Sequence, residues 1–163
     1  MFVLGIDPGL TTTGFGLVAR TADGPRLHSV GVIRTAPADP IERRLLELHR
    51  DLSEIIAEHQ PDTVAIEQVF TNRNLQTSIA VGRASGVALL AAAAAGLSVH
   101  EYTPTQVKSA VAGFGKADKG QVQRMVMQRL DLAEIPRPAD AADALAVALC
   151  HLQSFRLAAR MSR

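Results

Sequence analysis

An acidic residue directly after a short apolar run is the feature that most constrains how this chain folds. The run begins at Phe2 and ends at Asp7, which Pro8 and Gly9 follow. The run predicts a buried strand. The Pro-Gly pair predicts a tight turn, because proline fixes its own φ and glycine tolerates positive φ. Asp7 therefore either faces a cleft at the end of a central strand or bonds the amides of its own turn.

The apolar pattern of the remaining sequence predicts an α/β fold. Residues 12–20 and 26–35 are predicted strands joined by an Asp-Gly turn, which gives an antiparallel meander. Strands at 62–67 and 97–102 each follow a predicted helix, as in crossover units. Helices are expected at residues 40–59, 75–95, 104–112, 119–130 and 140–156. The expected order is β-β-β-α-β-α-β-α-α-α, a five-stranded mixed sheet with helices on both faces.

Capping residues indicate where three of these helices begin. Asp39 is expected to cap the first helix, with Pro40 at its first position. Thr103, which also precedes a proline, is expected to cap the third. Asp118 and Gln121 have the spacing of a capping box for the fourth.

Composition indicates one compact domain, residues 1–163, with a basic and flexible tail at 157–163. Apolar residues make up 47% of the 163-residue chain, which argues against a disordered protein. Cys150 is the sole cysteine, so the sequence offers no internal disulfide and no zinc cluster. No signal peptide is visible, and the apolar stretch 86–99 is shorter than a membrane span. A cytoplasmic location is therefore expected.

Positive charge is concentrated in one part of the sequence, although the net charge is only +1. Residues 71–130 contain only two acidic residues, Glu101 and Asp118. The basic residues of this region are Arg73, Arg83, Lys108, Lys116, Lys119, Arg124 and Arg129. Such an excess is either an ordinary solvated surface or a phosphate-binding face.

Four carboxylates are expected at the ends of predicted elements. Glu67 ends a strand, as Asp7 does, while Asp140 and Asp143 lie about one turn apart on one face of the last helix. The helix dipole also stabilises acids in a first helical turn, so each aspartate alone has an ordinary explanation. The two aspartates are nevertheless surrounded by alanines, where an unpaired carboxylate would be costly. Four oxygen donors without His or Cys suit Mg²⁺ or Mn²⁺, and two such ions can assist phosphodiester cleavage.

Four segments in order resemble the RuvC family of Holliday-junction resolvases. They are GIDPG at 5–9, AIEQVF at 65–70, QVK at 106–108 and ADAADALA at 139–146. The resemblance implies a ribonuclease-H-like fold, a homodimer and a divalent-metal-dependent endonuclease. It also implies four-way junction DNA as substrate, paired nicks that leave 5′-phosphates, and the RuvA–RuvB branch-migration complex as partner.

The resemblance also implies roles for single residues. The family's catalytic and metal-binding acids, which would hold Mg²⁺ or Mn²⁺ as two ions, match Asp7, Glu67, Asp140 and Asp143. Its DNA-contacting residues match Lys108 and Lys119, and its base-stacking aromatic matches Phe70. Arg73 lies in the same loop as Phe70 and is a further DNA-binding candidate. Without the resemblance, the two lysines are ordinary helix-end residues and Phe70 is either a local anchor or a stacking wedge.

Three other functions are compatible with parts of this pattern. The Asp-Pro-Gly turn with its threonines also suits an actin-like ATPase or sugar kinase, although 163 residues leave no room for the second half. A ribonuclease acting on RNA–DNA hybrids or precursor ribosomal RNA would share the fold. A non-catalytic junction-binding module would have no use for four acids facing phosphates.

The helix expected at 75–95 is rich in small residues. Gly82, Ser85 and Gly86 lie on closely spaced turns, where a second backbone can approach. The helix packs either within the chain or against its equivalent across a two-fold axis.

Overall fold

The computed structural model describes residues 1–68 and 74–161, with the side chains of the last helix described through Phe155. The predicted order of strands and helices is confirmed. The elements are β1 (Phe2–Asp7), β2 (Thr12–Thr21), β3 (Gly24–Arg34), α1 (Ile41–His59), β4 (Thr63–Glu67), α2 (Leu75–Ala94), β5 (Ser98–Tyr102), α3 (Pro104–Ala112), α4 (Lys119–Arg129) and α5 (Ala139–Met161).

The five strands form one mixed sheet in the order β3-β2-β1-β4-β5. Strands β1, β2 and β3 are antiparallel neighbours, as the short turns between them predict. Strand β4 runs parallel to β1 and to β5. Asp7 and Glu67 therefore end adjacent parallel strands at the same edge of the sheet. This edge is where crossover folds place their sites.

Helices cover both faces of the sheet, and the central strand contributes to both cores. Val3 packs with α3, α4 and α5, whereas Leu4 and Ile6 pack with α1 and α2. Side chains alternate between the two faces of a strand. Asp7 therefore shares the face of Val3, and Glu67 shares that of Ala65, which also packs against α5. Both acids consequently face the helix that carries the two aspartates.

Glycines let α5 lie unusually close to the sheet. A Cβ on Gly5 would lie 2.2 Å from the carbonyl oxygen of Ala144, and one on Gly14 would lie 2.0 Å from that of Asp140. Gly14 is the register partner of Asp7. The absence of a side chain at Gly14 therefore brings the beginning of α5 up to the end of β1.

The observed helix boundaries correct two predictions. Pro40 has extended backbone angles (φ −54°, ψ 144°) and lies just before α1, so neither Asp39 nor any other side chain caps that helix. The last helix continues to Met161 rather than ending near residue 156. The capping boxes of Thr103 and Asp118 are confirmed.

Helix α2 is longer and more apolar than the stretch 86–99 suggested. Across Leu75–Ala94 its length and composition would allow it to cross a membrane, because Arg83 is the only charged residue in it. By length and composition alone, this apolar segment is therefore longer than the stretch 86–99 that the sequence indicated. The buried share of its apolar window is only 28%.

Candidate active site

Asp7 and Glu67 form a pair of neighbouring carboxyl groups at the ends of β1 and β4. Burial, followed by the negative charges of Glu67, Asp143 and Asp140, raises the pKa of Asp7 to about 8. Burial, followed by the charge of Asp143, also raises the pKa of Glu67, while its hydrogen bond with Asp7 opposes that rise. The raised pKa favours the protonated form of Asp7 in the metal-free protein, with Glu67 as the hydrogen-bond acceptor.

The first turns of α5 bring the other two acids to this pair. Asp140 lies where the backbone of α5 contacts Gly14, and Asp143 follows one turn later. Burial raises the pKa of Asp143, and Lys119 opposes that rise. The structure thus brings together the four acids that the sequence singled out, since the charges of Glu67, Asp140 and Asp143 all raise the pKa of Asp7.

Two lysines from different helices meet the acids. Lys119 Nζ lies 2.7 Å from Asp143 Oδ2. Lys108 and Lys119 line a cavity of about 190 Å³ together with Glu67 and Asp143. The positive charges of both lysines lower the pKa of Glu67. The cavity is therefore lined by two carboxyl groups and two ammonium groups, a pattern that suits a phosphodiester bound to a metal site.

Capped helix ends fix the positions of these lysines. Helix α3 begins directly after β5, where the Thr103 hydroxyl accepts a hydrogen bond from the Gln106 amide at 3.2 Å. Helix α4 begins at Lys119, because the Asp118 carboxylate accepts a hydrogen bond from the Gln121 amide at 2.8 Å. Lys108 and Lys119 are thus held on rigid segments.

The donor set suits a hard divalent cation, although its ligand geometry is not already assembled. The donors are carboxylate oxygens, which Mg²⁺ and Mn²⁺ prefer. Burial, followed by the charges of neighbouring acids, raises the pKa values of Asp7 and Glu67, and a bound cation would offset both effects. Within residues 1–68 and 74–161, no three carboxyl, imidazole or thiol groups meet the distances of a metal site. The ion pair with Lys119 engages one of the oxygens that a cation would need, Asp143 Oδ2.

Arg44 holds the turn that follows Asp7, a role that the sequence did not indicate. Its Nε donates to the Thr35 hydroxyl and its Nη2 to the Thr11 hydroxyl, both at 2.9 Å. Thr35 in turn donates to the carbonyl of Leu10 at 2.6 Å. Arg44 is buried, and none of the described carboxylates lies within 4.0 Å of it. The available signal in the sequence was the position of Arg44 on the apolar face of the helix, four residues before Leu48 and eight before Leu52.

His151 and Tyr102 form a second polar pair behind the acids. The Tyr102 hydroxyl lies 2.8 Å from His151 Nδ1, and Tyr102 is the register partner of Glu67. Burial, followed by the charge of the nearby His100, lowers the pKa of His151 to about 4. His151 is therefore neutral at physiological pH, and its contact with the Tyr102 hydroxyl is a structural one.

Comparison with known proteins decides the family. Residues 3–151 match the protein family described as crossover junction endodeoxyribonuclease RuvC. This chain belongs to the RuvC family. A RuvC from Syntrophomonas wolfei is 52% identical over 157 residues, which are 96% of this chain and 91% of that protein. A RuvC from Chloroflexus aggregans is 54% identical over 151 residues, covering 93% and 92% of the two chains.

A solved RuvC structure has the same fold over almost all of both chains. The structure of T. thermophilus RuvC in complex with Holliday junction substrate superposes with a TM-score of 0.91. The two proteins are 42% identical, and the match covers 97% of this chain and 96% of the other. The ribonuclease-H-like fold implied by the resemblance is thus confirmed. RuvC enzymes depend on a divalent metal.

Two predicted DNA-binding residues lie outside the described part of the chain. Phe70 and Arg73 belong to residues 69–73, and the predicted basic tail at 157–163 also falls beyond the described side chains. Their assignments therefore stay predictions.

Proposed function

We propose that this chain is a Holliday-junction resolvase, a divalent-metal-dependent endonuclease that makes paired symmetric nicks in four-way DNA junctions. The observation that carries the proposal is the convergence of Asp7, Glu67 and Asp143 beneath two lysines. These acids come from three separate elements of a RuvC chain. The DNA bound in the T. thermophilus RuvC structure supports junction DNA as the substrate.

Each acid has a role in holding the cation. Asp7, Glu67, Asp140 and Asp143 are the proposed ligands, and Mg²⁺ bound as two ions is the proposed cofactor, with Mn²⁺ as a substitute. When bound, the ions would activate a water molecule and stabilise the leaving oxygen. Asp7 must lose its proton to serve as a ligand, so metal affinity should increase with pH. Asp7 is the last residue of β1, and this strand restricts the orientation of the Asp7 carboxyl group.

The lysines bind and orient the DNA backbone beside the acids. Lys108 and Lys119 line the same cavity as Glu67 and Asp143, so a phosphate that enters it meets both ammonium groups. Their charge offsets the repulsion between the acids and the phosphate and stabilises charge that develops during cleavage. Phe70 and Arg73 are proposed to contact bases and backbone at the crossover.

A homodimer through α2 would supply the second active site. Leu75, Ile79 and Leu90 are exposed, and they share one face of the helix with Gly82 and Gly86 at spacings of three and four residues. A Cβ on either glycine would meet no atom within 4 Å, so these positions are not explained by packing within the chain. A second copy can cover this apolar face, and its two-fold axis matches a junction with two equivalent strands.

Further assignments extend this proposal. We infer that residues 1–163 form one nuclease domain, that the enzyme acts in the cytoplasm, and that RuvA–RuvB delivers its junctions. These rest on family membership rather than on particular contacts.

Replacement of Asp7 by asparagine tests the function. In the presence of Mg²⁺, Asp7→Asn should bind a synthetic four-way junction and fail to cleave it, because a metal ligand is lost while the lysines remain. Asp23→Asn, which removes an exposed acid from the β2–β3 turn, serves as control and should cleave normally. Undiminished cleavage by Asp7→Asn would refute the proposed site.

A further inference from the structure

Within residues 1–68 and 74–161, Lys119 and Asp143 form the only ion pair that involves an acid of the site. The Nζ–Oδ2 distance is 2.7 Å, within the range of a charge-assisted hydrogen bond. The Asp143 side chain is 23% exposed and that of Lys119 is 59% exposed. The carboxylate is therefore the more buried partner, whereas the Lys119 side chain is mostly exposed to solvent, into which its ammonium group can move.

Lys108 provides a contrast within the same cavity. It lines the cavity with Lys119, yet no described carboxylate lies within 4.0 Å of its ammonium group. Both lysines influence Glu67 through space, but only Lys119 engages a carboxylate oxygen directly. The two lysines should consequently act differently on any cation that needs Asp143.

We propose that Lys119 is a built-in counter-ion that competes with the divalent cation for the Asp143 carboxylate. The inference rests on the proposed function, in that it takes Asp143 as a metal ligand. An ammonium group and a divalent cation cannot occupy the same oxygen position. Lys119 must therefore leave Asp143 before that oxygen can bind the cation.

The released lysine gives the site a link between metal and DNA. A backbone phosphate that enters the cavity attracts Lys119 away from Asp143, and the freed oxygen then binds the cation more tightly. Because coupling between two ligands is reciprocal, metal binding should strengthen the interaction of Lys119 with the phosphate to the same degree. In the free protein, the ion pair keeps the acid neutralised and weakens metal binding.

Metal binding without DNA tests the competition directly. Free Mn²⁺ is measured by electron paramagnetic resonance in titrations of the full-length protein. Lys119→Met should bind Mn²⁺ about tenfold more tightly than the unaltered protein, equivalent to about 1.4 kcal/mol. Lys116→Met makes the same charge change in the loop before α4, and Lys108→Met makes it in the cavity itself. Each should change the affinity by less than about threefold.

A double-mutant cycle separates direct competition from a general charge effect. In an Asp143→Asn background, Lys119→Met should no longer tighten Mn²⁺ binding, because the contested oxygen has lost its charge. The proposal is overturned if Lys119→Met stays within twofold of the unaltered protein, if it matches Lys108→Met, or if its effect persists in the Asp143→Asn background.

Junction affinity measured in EDTA tests the link to DNA. Asp143→Asn should bind the junction several-fold more tightly than Asp140→Asn, since both remove one negative charge but only the first releases Lys119. The difference should vanish when Lys119→Met is added. Equal affinities for the two asparagine variants would overturn the link. If the unaltered protein does not prefer a four-way junction to a linear duplex, the proposed function fails, whereas the Mn²⁺ cycle still decides the competition.

Discussion

Replacing Gly14 with alanine should impair cleavage far more than folding. Gly14 lies beside Asp7 on β2, and a Cβ there would lie 2.0 Å from the carbonyl oxygen of Asp140 and 2.5 Å from its carbonyl carbon. Both atoms belong to the backbone at the beginning of α5, so no side-chain rotation can make room. An increase from 2.0 Å to the ordinary contact distance of 3.4 Å requires a displacement of about 1.4 Å.

This displacement falls on the active site. Overpacking of this kind costs about 1–3 kcal/mol of stability, and replacement of a strand glycine returns about 0.5–1 kcal/mol. The net loss in the free energy of unfolding should be about 0–2.5 kcal/mol. A shift of about 1 Å at the reacting groups costs about a hundredfold in rate. Asp140 and Asp143 move with the helix end, so cleavage should fall by at least that factor.

Single-turnover cleavage of a synthetic junction with Mg²⁺ measures the rate, and urea denaturation measures the stability. Gly31→Ala is the matched control in the neighbouring strand, where the new Cβ would meet only the movable ring of Phe15, at 2.8 Å. It should retain cleavage within about threefold, since the ring can move without displacing α5. If Gly14→Ala also cleaves within threefold of the unaltered protein, the close approach of α5 does not position the acids.

Three further variants test separate parts of the structure. Without metal, the free energy of unfolding of the unaltered protein should fall relative to that of Asp7→Asn as pH rises from about 4 to about 8, because folding raises the pKa of Asp7 from 3.8 to about 8. Urea denaturation of both proteins at several pH values measures this difference. If the unaltered protein instead gains stability over Asp7→Asn as pH rises, the prediction is contradicted. Arg44→Met should cost about 1–3 kcal/mol in urea, because the hydroxyls of Thr11 and Thr35 lose their donor; an unchanged midpoint would show that this network is dispensable. Ile79→Glu should convert a dimer into a monomer in sedimentation equilibrium, and a persisting dimer would exclude the α2 face.

The sequence predicts the order of strands and helices along the chain because the signals for each element are local. Apolar runs, an Asp-Gly turn and two capping boxes each act within a few residues, and the structure confirms them. Asp39 and Pro40 show the limit of such signals, since the pair has the right composition for a cap but Pro40 stays extended before α1. Local chemistry permits both arrangements there, and the path of the chain from β3 to α1 selects one.

The convergence of the acids was predictable, whereas their environment was not. Strand alternation and parallel pairing place Asp7 and Glu67 on the same face at the same edge. The contact between Gly14 and Asp140 depends on how closely two distant elements pack. The choice of Lys119 rather than Lys108 as the partner of Asp143 depends on the orientation of α4. Neither property is encoded within a few residues.

The close packing of α5 explains why a counter-ion is needed in the site. Leu145 and its alanine neighbours form the centre of one core, so the helix position is set by apolar burial. The same position forces the carboxyl groups of Asp140 and Asp143 towards Asp7 and Glu67, where they repel one another. In the metal-free protein, the proton on Asp7 and the ammonium group of Lys119 offset that repulsion. Entry of a divalent cation should therefore displace both, and metal binding by this protein should release a proton as well as a lysine.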